Sequence, residues 1–506
     1  MGLLFFPRGG SAQVARYLVP ALEGAGWEAA LVGGSLGVAG EGTHAPTFYG
    51  DLELHHLDFT AAVDAFEAGG SAVAAAVPMH PSFEHREGAP DVVLSAVDPR
   101  LAGHLASVWE APLAAAGAAD ATVFHLHHLT QQHDAARHRW PAVPLVAHLH
   151  GTEIKFLEAV DERAEVAAAA GTTLEDMPEV VAAAGGPPGH LDDRQRDLWH
   201  GTRWEAWRHG DWWGRHLRRQ AAAADHLVAV SPSDRESATS VLGVEPARVS
   251  DVPNGVDVEH FRPRPPAPDA RRARFRQWLV EEPRGWDASG VPGSVAYREA
   301  DLDRLLGTEG TGTVLVFVGR FTSAKRVPVL VRAFARARAR FERPASLLVW
   351  GGHPGEWEDE HPVTVAADVG ADGIFFAGWR GHEDLPDALG ACDALVMPSV
   401  NDSYPQTPLE AMATGLPVLA TRSGGFPSMV NVDPAEPTGW LVAPDDVDAL
   451  AAALVDVVNR PDERARRGRA ALAHARAEFS WTGRVAGFDR AYELAADHRA
   501  RAARGA

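Results

Sequence analysis

The chain has 506 residues, 46% of them apolar and 23% charged, a composition that suits roughly two to four soluble domains. Its formal charge of −21 argues against a nucleic-acid partner, which requires a concentrated positive surface, while a few well-placed Arg and Lys still suffice for a small anion. The single cysteine, Cys392, rules out an intrachain disulfide and any cysteine-based metal site.

Residues 3–6 form the first apolar run. They are too short, and lack the basic start, for a secretory signal, and no apolar stretch approaches the ~20 residues of a membrane span. The expected compartment is the cytoplasm. Pro7-Arg8-Gly9-Gly10-Ser11 follows, and Gly10 opens a helical pattern where a missing side chain lets a ligand approach the backbone. Further runs at 29–32, 92–96, 122–126, 145–149 and 227–230 alternate with helical patterns. The strand ends at 125–128 and 148–152 carry His125, His127, His128, His148 and His150. This many histidines raises the question of zinc, but no carboxylate or cysteine completes a ligand set, so no metal is expected.

Residues 156–224 hold Trp199, Trp204, Trp207, Trp212 and Trp213 among arginines. Three readings fit: a wall that stacks on sugar, a helix resting on lipid, or a helical insertion with its tryptophans packed inward. The charge of −21 speaks against membrane contact. Prolines crowd residues 262–268, which predicts a linker, and 269–312 is polar and irregular beside it.

A second set of six apolar runs follows, at 314–318, 346–350, 373–376, 394–397, 417–420 and 439–442. Two sets of unbroken apolar runs separated by helices predict two doubly wound parallel sheets of the α/β class. Within the second set, residues 398–418 read as strand, loop, short helix and strand. Thr407 fits an N-cap, Pro408 the first helical position, Glu410 the third position of a capping box, and Gly415 the C-terminal cap. Such a helix start at the carboxyl end of a parallel strand is a phosphate site, and Asp402 and Glu410 flank it. From spacing alone, Glu410 as a cap and Asp402 as a turn residue fit equally well.

This stretch resembles the donor-binding signature of the family 4 glycosyltransferases, retaining enzymes of the GT-B fold. In that family two glutamates stand eight positions apart in a proline-serine loop followed by Glu-Ala-Met-Ala. Glu410 matches the second, and Asp402 stands where the first would be. Val318-Gly319-Arg320-Phe321, followed by Lys325, resembles the family's strand-end cation pair. Gly351-Gly352, Gly378-Trp379-Arg380 and Ser423-Gly424-Gly425 fit further strand-end turns. His125-Leu126-His127-His128 resembles the paired-histidine strand, and His150 the histidine that faces the donor sugar.

The resemblance implies two Rossmann-like domains facing a central cleft. Residues 1–262 form the acceptor side, with 156–224 inserted, 263–312 form the connection, and 313–480 bind the donor. The helix at 481–506 fits either domain. The resemblance also implies transfer of a sugar from a nucleotide-sugar donor to an unidentified acceptor, without metal or cofactor. His150, Asp402, Arg320 and Lys325 take the catalytic positions. Gly10, Trp379, Ser403, Thr407, Leu409 and Glu410 join the two cations in holding the donor, and His127, Trp204 and Trp207 are the acceptor candidates. Two other readings remain open: a different GT-B enzyme, such as a sugar phosphorylase or nucleotide-sugar epimerase, and a non-catalytic nucleotide-sugar sensor, which the Asp402 replacement makes conceivable.

Overall fold

A computed structural model describes residues 1–86 and 88–505. The chain divides into two compact units, Met1–Pro253 together with the C-terminal segment from Arg484, and Asn254–Gly483.

The first unit carries seven parallel strands: β1 (Gly2–Leu3), β2 (Leu31–Ser35), β3 (Leu54–Asp58), β4 (Phe124–His127), β5 (Leu145–His148), β6 (His226–Ala229) and β7 (Val249–Asp251). Their order is β3-β2-β1-β4-β5-β6-β7. The second unit carries β8 (Thr313–Gly319), β9 (Ala345–Gly351), β10 (Ile374–Gly378), β11 (Ala394–Met397), β12 (Val418–Thr421) and β13 (Gly439–Val442), ordered β10-β9-β8-β11-β12-β13. Each is a Rossmann-like order that reverses once, between β1 and β4 and between β8 and β11, and such switch points are where open α/β sheets bind ligands. The central strands are buried on both faces, which is why they read as continuous apolar runs.

All six runs of the second half are strands. In the first half, residues 92–96 are not: Leu94–Ala96 is a 3-10 turn whose Ser95 carbonyl accepts from His209 N–H at 2.9 Å. Two strands, both edges of the first sheet, escaped the apolar pattern because neither has an apolar run. β3 has the sequence Leu-His-His-Leu-Asp and is half exposed, and β7 is three residues long.

The stretch 263–312 is more ordered than its composition suggested, and it belongs to the second unit. A helix, Pro268–Arg276, runs into a π-helical turn, Gln277–Glu281, and a second helix spans Asp301–Leu306. The Trp286 indole N–H donates to the Gly352 carbonyl at 2.8 Å, the Tyr297 hydroxyl accepts from Phe376 N–H at 2.8 Å, and Arg271 pairs with Asp393 at 2.7 Å. The helix Trp481–Gly505 packs with the first unit from Arg484 onward, where Asp489 accepts from the Trp27 indole at 2.8 Å.

The tryptophan-rich segment resolves toward the inward-packed reading. Trp199, Trp204, Trp207 and Trp213 all sit in the main hydrophobic core of the first unit. Trp204 and Trp207 are 4% and 8% exposed, Trp207 lies between Phe156 and the Arg163 guanidinium, and the Trp213 indole donates to Val97 O at 2.8 Å. These rings are held by packing, so Trp204 and Trp207 are corrected from acceptor candidates to core. No described helix is long and apolar enough to cross a membrane.

Candidate functional site

In the second unit the site is built at the carboxyl ends of β8 and β11, on either side of the switch point. After β8 come Arg320, which is exposed, and a 3-10 turn, Ser323–Lys325. Arg326 then takes a left-handed conformation (φ 51°) that reverses the chain into the helix Val327–Arg338. That reversal presents Lys325 to the next loop. Its Nζ reaches both Asp402 carboxylate oxygens, at 3.0 and 2.8 Å, with both side chains mostly buried.

The loop that carries Asp402 is fixed from several sides. Val400 N–H donates to Ala324 O at 2.8 Å, Asn401 N–H to Ser423 Oγ at 2.9 Å, and Gly425 N–H to Asp402 O at 2.8 Å. Asn254 Nδ2 donates to Tyr404 O at 3.1 Å. Gly424 and Gly425 are required by proximity. A Cβ on Gly424 would lie 2.0 Å from Asp402 O, and one on Gly425 would lie 2.0 Å from Ser403 O. This glycine turn is a brace pressed against the carboxylate loop.

The helix that follows is Gln406–Ala413, with Pro405 as N-cap and no side-chain cap bond. The expected capping box is therefore not formed: the helix begins one residue before Thr407, which falls at its second position. Glu410 is 4% exposed, and its Oε1 meets His382 Nε2 at 2.9 Å instead of the N-cap. Gly415 does end the helix, at φ 87°. The Leu409 side chain is fully buried, so its backbone N–H is what it can offer a ligand, alongside those of Gln406 and Thr407 at the helix start. Ser403 is partly exposed at the mouth of the loop.

Gly378 has φ 72°, and a Cβ there would meet Arg284 O at 1.9 Å, so only glycine lets the chain turn beneath the docked segment. Trp379 emerges from this turn half exposed, with its ring 5.9 Å from that of His353. Arg380 points inward and donates to Trp278 O and Glu282 O at 2.7 and 2.6 Å.

In the first unit Gly10 begins the helix Gly10–Gly24, exposed, with open space where a Cβ would project. His150 and His127 lie at the ends of neighbouring strands, His150 Nε2 and His127 Nδ1 2.8 Å apart. Burial, reinforced by neighbouring imidazoles, pushes both well below the ordinary histidine value. His150 N–H donates to Glu153 Oε1 at 2.8 Å, and His128 Nδ1 lies 3.1 Å from Glu153 Oε2. Burial alone would raise the Glu153 carboxyl, but His128 and these hydrogen bonds outweigh it and hold it low.

His382 and Asn254 were not singled out as site residues from the sequence. Neither stands next to the residue it supports, so no local pattern marks them. The structure brings Lys325 to Asp402 and His382 to Glu410, whereas the sequence left these carboxylates without partners.

Residues 8–260 match the family model described as Glycosyltransferase Family 4, and residues 312–460 match that described as Glycosyl transferases group 1. A D-inositol 3-phosphate glycosyltransferase of Saccharomonospora viridis is 34% identical over 266 residues, 51% of this chain and 53% of the relative. One from Streptomyces griseus is 31% identical over 287 residues, 55% and 56% of the two chains. The chain thus spans about half the length of the curated relatives it matches. Among solved structures, sucrose-phosphate synthase from Thermosynechococcus elongatus superimposes with a TM-score of 0.59 at 18% identity, covering 96% of this chain and 93% of the other. Anabaena HepE in complex with UDP and glucose gives 0.56 at 14% identity, covering 97% of each. At these identities the likeness shows the fold, which is GT-B.

Proposed function

We propose that this chain, which belongs to glycosyltransferase family 4, transfers a sugar from a nucleoside-diphosphate sugar to an acceptor with retention at the anomeric carbon. The observation that carries this reading is the construction at the tips of β8 and β11. Lys325 is locked onto Asp402 beside a helix whose first N–H groups have no side-chain cap. A diphosphate suits such a place, since two cations and a helix start offset the negative charge that grows on the leaving group. Arg320 and Lys325 supply the cations, and the backbone of Thr407 and Leu409 the N–H groups. Glu410, aimed and held by His382, accepts from ribose hydroxyls. Half-exposed Trp379 offers a ring face for the base. Asp402 orients the transferred sugar, and His150 is the first unit's candidate for the same sugar by family pattern. This reading needs no metal. The single buried cysteine fits a cytoplasmic setting.

UDP-sugars are the first donors to test, because HepE binds UDP and glucose in the same fold. Inositol phosphates head the acceptor panel, because the matched relatives are named for D-inositol 3-phosphate. The decisive assay couples nucleoside diphosphate release to acceptor addition. Acceptor-dependent release with an α-linked product from an α-linked donor supports the reading. Donor binding without turnover across the panel would favour a sensor, and release of sugar 1-phosphate would favour a phosphorylase.

A further inference from the structure

Three of the first unit's buried histidines lie ring against ring where apolar side chains would serve packing alone. His127 on β4 pairs in register with His148 on β5, and His125 lies two residues earlier on the same face of β4. They are 3%, 0% and 0% exposed for His125, His127 and His148. One ring nitrogen from each lies within 4.8 Å of the others.

The hydrogen bonds around them set which nitrogens face inward. His125 Nδ1 lies 2.7 Å from the Tyr492 hydroxyl and His125 Nε2 3.0 Å from His148 Nδ1, while His127 Nδ1 lies 2.8 Å from His150 Nε2. A partner on one ring nitrogen of His127 fixes its tautomer, the arrangement of metal-binding histidines, and the single proton that joins His125 Nε2 to His148 Nδ1 is the one a metal ion would displace. His127 Nε2 and His148 Nε2 are buried with no hydrogen-bond partner among the described residues. Leaving a buried polar atom unsatisfied costs about 1–3 kcal/mol. Two such atoms in one cluster make a further partner for these rings favourable.

We propose that His125, His127 and His148 form a buried three-imidazole site for a first-row transition metal ion, with zinc the ion that fits best. Nitrogen-only ligation suits zinc, copper or nickel and disfavours calcium and magnesium. Three neutral ligands leave the ion's charge uncompensated, and the fourth position belongs to water or hydroxide. Small ring rotations bring the nitrogens to the roughly 3.4 Å spacing of tetrahedral ligands at about 2.1 Å from the metal. Access comes through a groove of about 600 Å³ lined by His125, Tyr492, Trp27 and Phe124. The site uses no residue of the Asp402 loop, so it stands or falls apart from the transferase reading. It touches the first unit's chemistry at one point, because a metal on His127 also restrains His150 through their shared hydrogen bond.

The test uses the full chain, freed of metal with a chelator and then titrated with zinc or cobalt(II) alone. The expected result is one ion per chain, a higher melting temperature with zinc, and the intense visible bands of tetrahedral cobalt. His125→Gln and His148→Gln should each weaken binding at least tenfold while circular dichroism stays native. Absence of stoichiometric binding by the folded wild type overturns the proposal, as does undiminished binding in both variants, which would mark a surface histidine. Should the variants fail to fold, the wild-type cobalt spectrum decides: weak octahedral bands reject the site.

Discussion

Replacing Gly424 with alanine tests whether the Asp402 loop is both braced and functional. Gly424 has φ +57°, a region that costs an alanine about 1–2 kcal/mol. Its new Cβ would sit 2.0 Å from Asp402 O, 2.8 Å from Asp402 C and 3.0 Å from Asp402 N. All three are backbone atoms, so no side-chain end can swing away. The loop must retreat by more than 1 Å to restore ordinary contact near ~3.5 Å. That movement breaks the 2.8 Å bond from Gly425 N–H to Asp402 O, worth about 1 kcal/mol. The total, about 2–3 kcal/mol, should lower the melting temperature by roughly 4–12 °C for a unit of this size. It should also pull Asp402 from Lys325 and weaken UDP-sugar binding by isothermal titration calorimetry at least tenfold. Gly424→Ala with wild-type stability and affinity would refute the packing argument. Lower stability with unchanged donor affinity would keep the brace and remove the loop from the donor site.

Arg320→Ala should cost about 2–4 kcal/mol in kcat/KM, mostly through kcat, since charge on the diphosphate grows in the transition state; near-normal turnover by the purified variant would remove Arg320 from that role. Trp204→Ala should lose about 3–5 kcal/mol of stability in urea unfolding, being 4% exposed. Trp212 is only partly buried, stacks on His216 at 4.8 Å, and lines a groove of about 560 Å³ with Arg100, Arg208 and Arg215. Trp212→Ala should therefore stay folded, and a rise in acceptor KM there would locate acceptor recognition in that groove. Acid should unfold the first unit early. Burial pushes His133 down to about 3 and, helped by neighbouring arginines, His226 to about 4, so below the ordinary 6.5 protons bind the unfolded chain and not the folded one. Their contribution is complete above pH 6.5 and is lost as pH falls toward those values, by about 1.4 kcal/mol per pH unit for each. His133→Gln should flatten the dependence of urea-unfolding stability on pH by one proton, and an unchanged slope would contradict the burial argument.

How far the sequence reached follows from where each signal lies. All six strands of the second unit are apolar runs, its edges β10 and β13 included, so all six were readable. β3, with histidines at its centre, and the three-residue β7 have no such run to show. The loop 398–405 was legible because a strand end, prolines and a helix start lie within one short stretch. The helix start slipped by one residue because Thr407 matched cap chemistry better than Pro405, yet Pro405 holds the extended conformation of the cap (φ −65°, ψ 141°). The partners of the carboxylates were invisible for another reason. Lys325 is 77 residues from Asp402, and His382 is 28 from Glu410, separations at which local spacing carries no information. The tryptophans left three readings open because aromatic composition alone does not tell a binding face from a core.

The segment that crosses from the proline stretch to β8 has a practical meaning for anyone dividing this protein. A fragment cut at residue 313 would keep the whole second sheet and every candidate donor residue of that unit. It would also lose Trp286, which is 1% exposed and stacks on Phe321 at 5.3 Å, one residue from Arg320. With it would go the Tyr297 and Arg271 anchors and the backbone over which Gly378 turns. Such a fragment would be unroofed beside its own arginine loop. The compact second unit itself starts at Asn254, whose amide also tethers Tyr404.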